Sequence, residues 1–161
     1  MNKPFFSIAI PAYEMHGYGV EYLRHSFSVL NKQTFKDFKL IVSDHSRDNG
    51  VKDSCQIWRK ELHIKYFRND YKVSESSPNI NNAIKQSTGE WIKLLFQDDF
   101  LYGAIALENL KTHIDAEKKM RRIATACEHA YDGKHMHRPF YPSWNESIHA
   151  GVNTISSQKD I

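Results

Sequence analysis

Four short apolar runs, each followed by a stretch of different periodicity, constrain this 161-residue chain more than any other feature. Phe5–Pro11 (FFSIAIP) is apolar and β-branched and closes on a proline, the form of a buried strand. From Tyr18 to Lys32 the period changes: Val20, Leu23, Phe27 and Leu30 recur at helical spacing and define one apolar face. Phe38–Ser43 is a second strand, followed by the turn-forming cluster Asp44–Gly50 and a helix around Val51–Glu61. A short strand at His63–Arg68, a loop at Ser74–Pro78 and a helix at Asn79–Ser87 lead to Trp91–Phe96 (WIKLLF), the most apolar strand of the chain. A helix from about Ala104 to Lys119 comes next. Strands alternating with helices specify βαβ units, hence an α/β fold with a mostly parallel sheet covered by helices on both faces.

Composition narrows the class without naming a function. With 40% hydrophobic and 25% charged residues the chain is an ordinary globular one, which excludes disordered and collagen-like classes. A chain this long buries roughly 68–70% of the surface its unfolded form exposes, so it needs no covalent staples. No run approaches the ~18 apolar residues of a membrane span. Phe5–Ile10 is too short and too soon broken by Pro11 to serve as a signal peptide. Cys55 and Cys127 stand far apart in no pairing or metal-binding pattern, so a reduced, cytoplasmic setting is expected. The net charge of +3 suits a small anionic ligand and gives no reason to expect nucleic acid. Neither a Gly-x-Gly-x-x-Gly fingerprint nor a P-loop is present, which disfavours dinucleotide and P-loop folds.

Ligands of parallel α/β sheets sit beyond the carboxyl ends of the strands. This chain places Pro11-Ala12-Tyr13-Glu14, Asp44 and Asp98-Asp99 there. Adjacent carboxylates are unfavourable unless a cation or hydrogen-bond donors compensate. Mg²⁺ or Mn²⁺ bridging a ligand's phosphates meets that need with one or two carboxylates. If the strand continues through them, the two aspartates point to opposite faces and only one ligates the metal. The competing expectation is that Asp98 and Asp99 cap the following helix.

Taken in order, FSIAIPAYE, SVLNKQTFKDFKLIVSDHS and NINNAIKQSTGEWIKLLFQDDFLY resemble the family 2 glycosyltransferases of the GT-A fold, over roughly residues 5–102. The matching pieces are the Pro11-Ala12-Tyr13 turn, the Ser28–Thr34 signature, Asp44-His45-Ser46, and a Gly-Glu-aromatic-Ile strand delivering a DxD-type motif at Gln97-Asp98-Asp99. The resemblance implies a Rossmann-like domain over 1–161, with a nucleotide-sugar-binding half at 5–102 and a reduced acceptor-side region at 103–161. It implies that Tyr13 stacks on the base, with Pro11, Ala12 and Glu14 lining it, and that Asp44 accepts a hydrogen bond from the base. An Asx turn explains Asp44 as well, and both can hold at once. Asp98 would meet the ribose or sugar, and Asp99 would hold Mn²⁺ or Mg²⁺ on the diphosphate. Arg68 and Lys72 are the candidate phosphate contacts, with Lys72 nearer the family position. Asn79, Asn81 and Asn82 open a helix, where either anion binding or N-capping accounts for them.

The activity implied is inverting transfer of a hexose from a nucleotide-diphosphate sugar, a UDP-sugar being favoured, to an unknown saccharide or other acceptor. A general base must take the acceptor's proton. Only Glu128 and Glu146 suggest themselves as candidates, and neither lies in a family motif. His129, His135 and His137 follow no metal-site spacing, and Glu128–Pro142 reads as a loop. The expectation is therefore a very small transferase or one shortened on its acceptor side, with an open donor pocket, slow donor hydrolysis or a partner completing the site. The aromatic-rich tail (Phe140, Tyr141, Trp144) is expected to seal the core, with pairing of two chains into a homo-oligomer or contact with a membrane surface as competing readings. The alternatives are a sugar-nucleotide-binding module without transfer activity and a nucleotidyltransferase.

Overall fold

The computed structural model describes residues 3–72, 75–117, 119 and 121–125, and the backbone of 127–131, 134–141 and 152–154. Two compact units divide the chain, Met1–Leu107 and Glu108–Ile161. The first holds strands β1 (Phe6–Ala12), β2 (Phe38–Asp44), β3 (Ile64–Arg68) and β4 (Trp91–Leu94) in one parallel sheet of order β3-β2-β1-β4. Helices α1 (Gly19–Asn31), α2 (Gly50–Trp58) and α3 (Ser76–Lys85) connect them. Helix α4 (Ala106–Ala116) begins at the end of this unit.

The central strands are apolar throughout because both faces are covered. Every residue of β1 is buried, and Leu40, Ile41 and Val42 of β2 are fully so. Side-chain alternation separates the two layers. Ser43 bonds to Asn79 of α3, while on the α2 side burial first, and then the charge of its neighbour Asp44, raise the pKa of Cys55. Helix α1 packs on α2, with Phe27 meeting Trp58 edge to face at 6.0 Å between ring centroids. Leu23, Phe27 and Leu30 are fully buried, the face that the helical spacing defines.

Pro11 sits in a central strand, where a missing N–H usually loses a ladder bond. Here it loses none. The Ala9 carbonyl receives the Leu95 N–H at 3.0 Å and the Ala12 carbonyl receives the His45 N–H at 2.9 Å, so alternate residues of β1 address β4 and β2. Pro11 belongs to the set facing β4, beyond the last paired residue, Ala9.

The Gln33-Thr34 pair anchors the chain beyond β4. The buried Gln33 side chain donates to the Gly103 carbonyl at 2.8 Å and accepts the Leu107 N–H at 3.1 Å. The Thr34 N–H reaches the Ala104 carbonyl at 2.8 Å. Part of the Ser28–Thr34 signature is thus a clamp on the entry to α4.

Helix α3, strand β4 and the stretch from Glu128 depart from the sequence reading. Helix α3 starts at Ser76, not Asn79, because Pro78 falls in its first turn, where a missing N–H is harmless. β4 ends at Leu94, short of Phe96. The stretch read as a loop from Glu128 contains an antiparallel hairpin in the second unit, β6 (Cys127–Tyr131) with β7 (Lys134–Tyr141). Tyr131 pairs with Lys134, and Asp132-Gly133 between them in sequence is a favoured two-residue hairpin pair. That unit also pairs β5 (Ile123–Thr125) antiparallel with β8 (Val152–Thr154). No helix among the described residues is long and apolar enough to cross a membrane.

Candidate functional site

The carboxyl ends of β1, β2 and β4 present Tyr13, Asp44 and Asp98-Asp99 on one rim of the sheet. Tyr13 follows β1 and is about half exposed, 46%. Its main chain is fixed: the Tyr13 N–H donates to Gln97 Oε1 at 2.9 Å. Pro11 and Ala12 are buried. The Ala12 carbonyl is occupied by the His45 N–H and by Asn79 Nδ2, the latter at 3.0 Å. Glu14 accepts the Arg47 N–H at 3.3 Å, joining the β1 and β2 turns.

After Glu14 the chain makes a single turn, Met15–Gly17, with φ of 46° at Met15, 54° at His16 and 97° at Gly17. Left-handed backbone costs about 1–2 kcal/mol at each non-glycine residue, so Met15 and His16 hold this shape only because neighbours enforce it.

Asp44 is completely buried. One oxygen accepts the Ser46 N–H at 2.8 Å, which is an Asx turn. The other accepts the Tyr66 hydroxyl at 2.6 Å and lies 3.5 Å from the Arg68 guanidinium. Burial first, then the hydrogen bond to Asp44, push the Tyr66 phenol well above its ordinary pKa. Arg68, a candidate phosphate contact from sequence, is spent within the fold: it donates to the carbonyls of Ser46 and Asp48 and to Asn49 Oδ1.

Asp98 and Asp99 lie in a turn beyond β4, closed by the Asp99 N–H on the Phe96 carbonyl at 3.0 Å. Strand alternation therefore does not separate them. Neither do they cap α4, which starts seven residues later at Ala106. Both are exposed, and neither forms an ion pair among the described residues. Partial burial, and then the negative charge of Asp98, raise the Asp99 carboxyl above its ordinary range, with Lys93 pulling the other way. Two neighbouring carboxylates that repel each other and keep open coordination positions fit a hard divalent cation shared with phosphate oxygens. No cluster of three metal-ligating side chains occurs among the described residues.

Lys72 and Asn81 come together elsewhere, with Tyr71, Asn82 and Lys85, on an open cleft of about 350 Å³ beside α3. Lys72 is left-handed, φ 51°, and its ammonium lies 3.4 Å from Glu75. Tyr13 and the aspartate pair do not line this cleft. Of the candidate bases, Glu128 is placed on β6 by its backbone and Glu146 lies outside the described residues.

Two residues that organise the rim had no role in the sequence reading: Gln97, quoted only as a motif position, and Tyr66. Gln97, 3% exposed, links the β4 end to the turn after β1 through Tyr13 and the Gly19 carbonyl, the latter at 2.6 Å. Tyr66 was legible only through register: it pairs with Val42, two positions before Arg68, which stands opposite Asp44, and so shares a face of the sheet with both.

Comparison with known proteins agrees with this architecture. A GalNAc(5)-diNAcBac-PP-undecaprenol beta-1,3-glucosyltransferase from Campylobacter jejuni is 30% identical over 105 residues, 64% of this chain and 33% of that protein. An uncharacterised glycosyltransferase from Rickettsia conorii is 28% identical over 63% of this chain and 16% of its own length. The chain thus spans a third or less of these relatives. Among solved structures, S. aureus TarS 1-349 in complex with UDP superposes with a TM-score of 0.62 at 25% identity, over 72% of this chain and 35% of that one. A mannosyltransferase from Pyrobaculum calidifontis, in complex with GDP-Man and Mn2+, shares the fold with a TM-score of 0.65 at 13% identity, over 80% of this chain and 37% of that one. The parallel sheet flanked by helices is that of the GT-A glycosyltransferases. With the family model for glycosyl transferase family 2 matching residues 7–151, the chain belongs to that family.

Proposed function

We propose that this chain binds a nucleotide-diphosphate sugar, with a UDP-sugar favoured, and transfers its hexose with inversion to a saccharide or other acceptor. The observation that carries the reading is the Asp98-Asp99 pair, exposed in a turn on the same rim as Tyr13 and free of any helix-capping duty. Tyr13 stacks on the base. Pro11, Ala12 and Glu14 shape its pocket. Asp44 keeps acceptor capacity for the base N–H, since each carboxylate oxygen has two lone pairs. As it is fully buried, a base reaches it only when Tyr66 or Arg68 turns aside. Asp98 meets the ribose or sugar. Lys72 and Asn81 lie on the cleft beside α3 that neither Tyr13 nor the aspartate pair lines, and would serve the phosphates only if the donor spans from the rim to that cleft. Asp99 would hold Mn²⁺ or Mg²⁺, which when bound stabilises charge on the departing diphosphate. The base that takes the acceptor's proton is sought at Glu128 and Glu146.

UDP is favoured over GDP by the TarS complexes with UDP and UDP-GlcNAc. A lipid-diphosphate-linked glycan as acceptor follows only from the name of the Campylobacter relative. A cytoplasmic location belongs to the same proposal and rests on the reduced state expected of the cysteines.

Calorimetric titration with UDP and with GDP, each with and without Mn²⁺, tests the reading on the wild type and on Asp99→Ala. Metal-dependent binding of one nucleotide, lost in the variant, is the expected result. Absence of binding to both, in folded protein, returns the aspartate pair to a surface turn. Turnover of the matching nucleotide sugar then separates a transferase from a binding module. Pyrophosphate release from a nucleoside triphosphate would instead mark a nucleotidyltransferase.

A further inference from the structure

Gln97 is a polar side chain almost wholly removed from solvent, and both ends of its amide are used. Oε1 accepts the Tyr13 N–H at 2.9 Å and Nε2 donates to the Gly19 carbonyl at 2.6 Å. Between these two anchor points run Met15, His16 and Gly17, three consecutive residues of left-handed backbone. The turn's own bonds are those of the Gly17 and Gly19 N–H groups to the Glu14 carbonyl, at 2.8 and 3.0 Å, and of the Tyr18 N–H to the Met15 carbonyl at 3.1 Å. Its two ends touch: a Cβ at Gly19 would stand 2.1 Å from the Tyr13 carbonyl oxygen and 2.8 Å from Gln97 Nε2. No side chain other than glycine fits there, and Gln97 closes the loop from the β4 side. The residues directly after Gln97 are Asp98 and Asp99.

We infer that Gln97 is a positioning residue: it staples the left-handed turn shut and so fixes Tyr13 relative to the aspartate pair. This rests on the donor-site reading and deepens it, since Gln97 ties the base-stacking end of the site to the diphosphate end. Side-chain packing around the turn is slight. His16 is exposed, Gly17 has no side chain and only Met15 is partly buried, so the strained backbone leans on its hydrogen bonds.

The test compares wild type, Gln97→Met, which keeps the volume and loses both bonds, and Gln97→Asn, which keeps the amide one methylene short. Ser7→Ala serves as the control for a purely structural loss. Ser7 Oγ is buried at the opposite end of β1, where it accepts the N–H groups of Thr88 and Gly89 at 3.1 and 2.8 Å. In Gln97→Met, amides of residues 13–19 exchange with deuterium at least tenfold faster, and UDP affinity in Mn²⁺ falls at least tenfold. Ser7→Ala lowers the unfolding temperature but leaves both readouts at wild-type values. Gln97→Asn falls between and keeps the test open if Gln97→Met does not fold. UDP affinity within twofold of wild type in either folded Gln97 variant overturns the positioning role while leaving the donor site standing. Unchanged exchange at 13–19 overturns it too. A wild type that binds neither UDP nor GDP overturns the donor-site reading, and the role of Gln97 in it.

Discussion

At the scale of single residues, the buried charge at the end of β2 shows how little of a strand-end carboxylate is decided by its own identity. Asp44 is held by Ser46, Tyr66 and Arg68, three groups from two elements. Tyr66→Phe removes the hydroxyl and leaves that oxygen to Arg68 alone, so stability falls by about 1.5–3 kcal/mol in urea denaturation, the usual loss for a hydrogen bond to a charged group. Below Asp44 lies Cys55, whose thiol burial, reinforced by the Asp44 charge, pushes up to about 12. The thiolate is the reactive form. Cys55 in the folded protein therefore resists alkylation at pH 8 and reacts only after denaturant exposes it, which mass spectrometry of the modified peptide measures. Asp44 and Tyr13 were legible as strand-end residues. The roles of Tyr66 and Gln97 were not, because they depend on partners 22 and 84 residues away.

At the scale of elements, the join between α3 and β4 depends on a close backbone approach. A Cβ at Gly89 would stand 2.4 Å from the Ser7 nitrogen and 2.7 Å from the Phe6 carbonyl carbon, both main-chain atoms that cannot step aside. Gly89→Ala is expected to destabilise the fold by about 2–3 kcal/mol, as overpacking does, read as a lower urea midpoint with unchanged slope. Residues next to β3 add a pH effect. Burial first, then Lys39 and Lys65, lower the pKa of His63. The unfolded state thus binds the proton more readily, so the contribution of neutral His63 is complete above its unfolded value, near 6.5, and is lost as pH falls through the lower folded value. His63→Gln should flatten stability between pH 7 and 5, an effect that salt reduces because His63 is exposed. Strands and helices were legible here because periods of 2 and 3.6 are local properties. The β6–β7 hairpin was also within reach, since Asp132-Gly133 is a local turn signal.

At the scale of the whole molecule, the donor-site reading predicts linkage between ligand and stability. UDP and Mn²⁺ together at about a hundred times their dissociation constant add about 2.7 kcal/mol, a rise in unfolding temperature of roughly 6–10 °C for a chain this long. Asp99→Ala abolishes the rise. A scan in which UDP with Mn²⁺ shifts the wild type no more than Asp99→Ala contradicts the placement of the metal. What the sequence determined by itself was the series of strands and helices and the carboxylates, aromatic and prolines at their ends, because hydrophobic period and turn chemistry act over a few residues. That sufficed for the parallel α/β class and the family resemblance. Only the tertiary structure decided which of those groups remain available to a ligand. It consumed Arg68 and buried Asp44 within the fold, left Asp98 and Asp99 exposed in a turn, and set Lys72 and Asn81 on a cleft not lined by Tyr13. The physical reason is hydrogen-bond satisfaction. A buried polar group must find a partner, and which partner it finds is settled by strand register and loop approach between residues far apart in the chain.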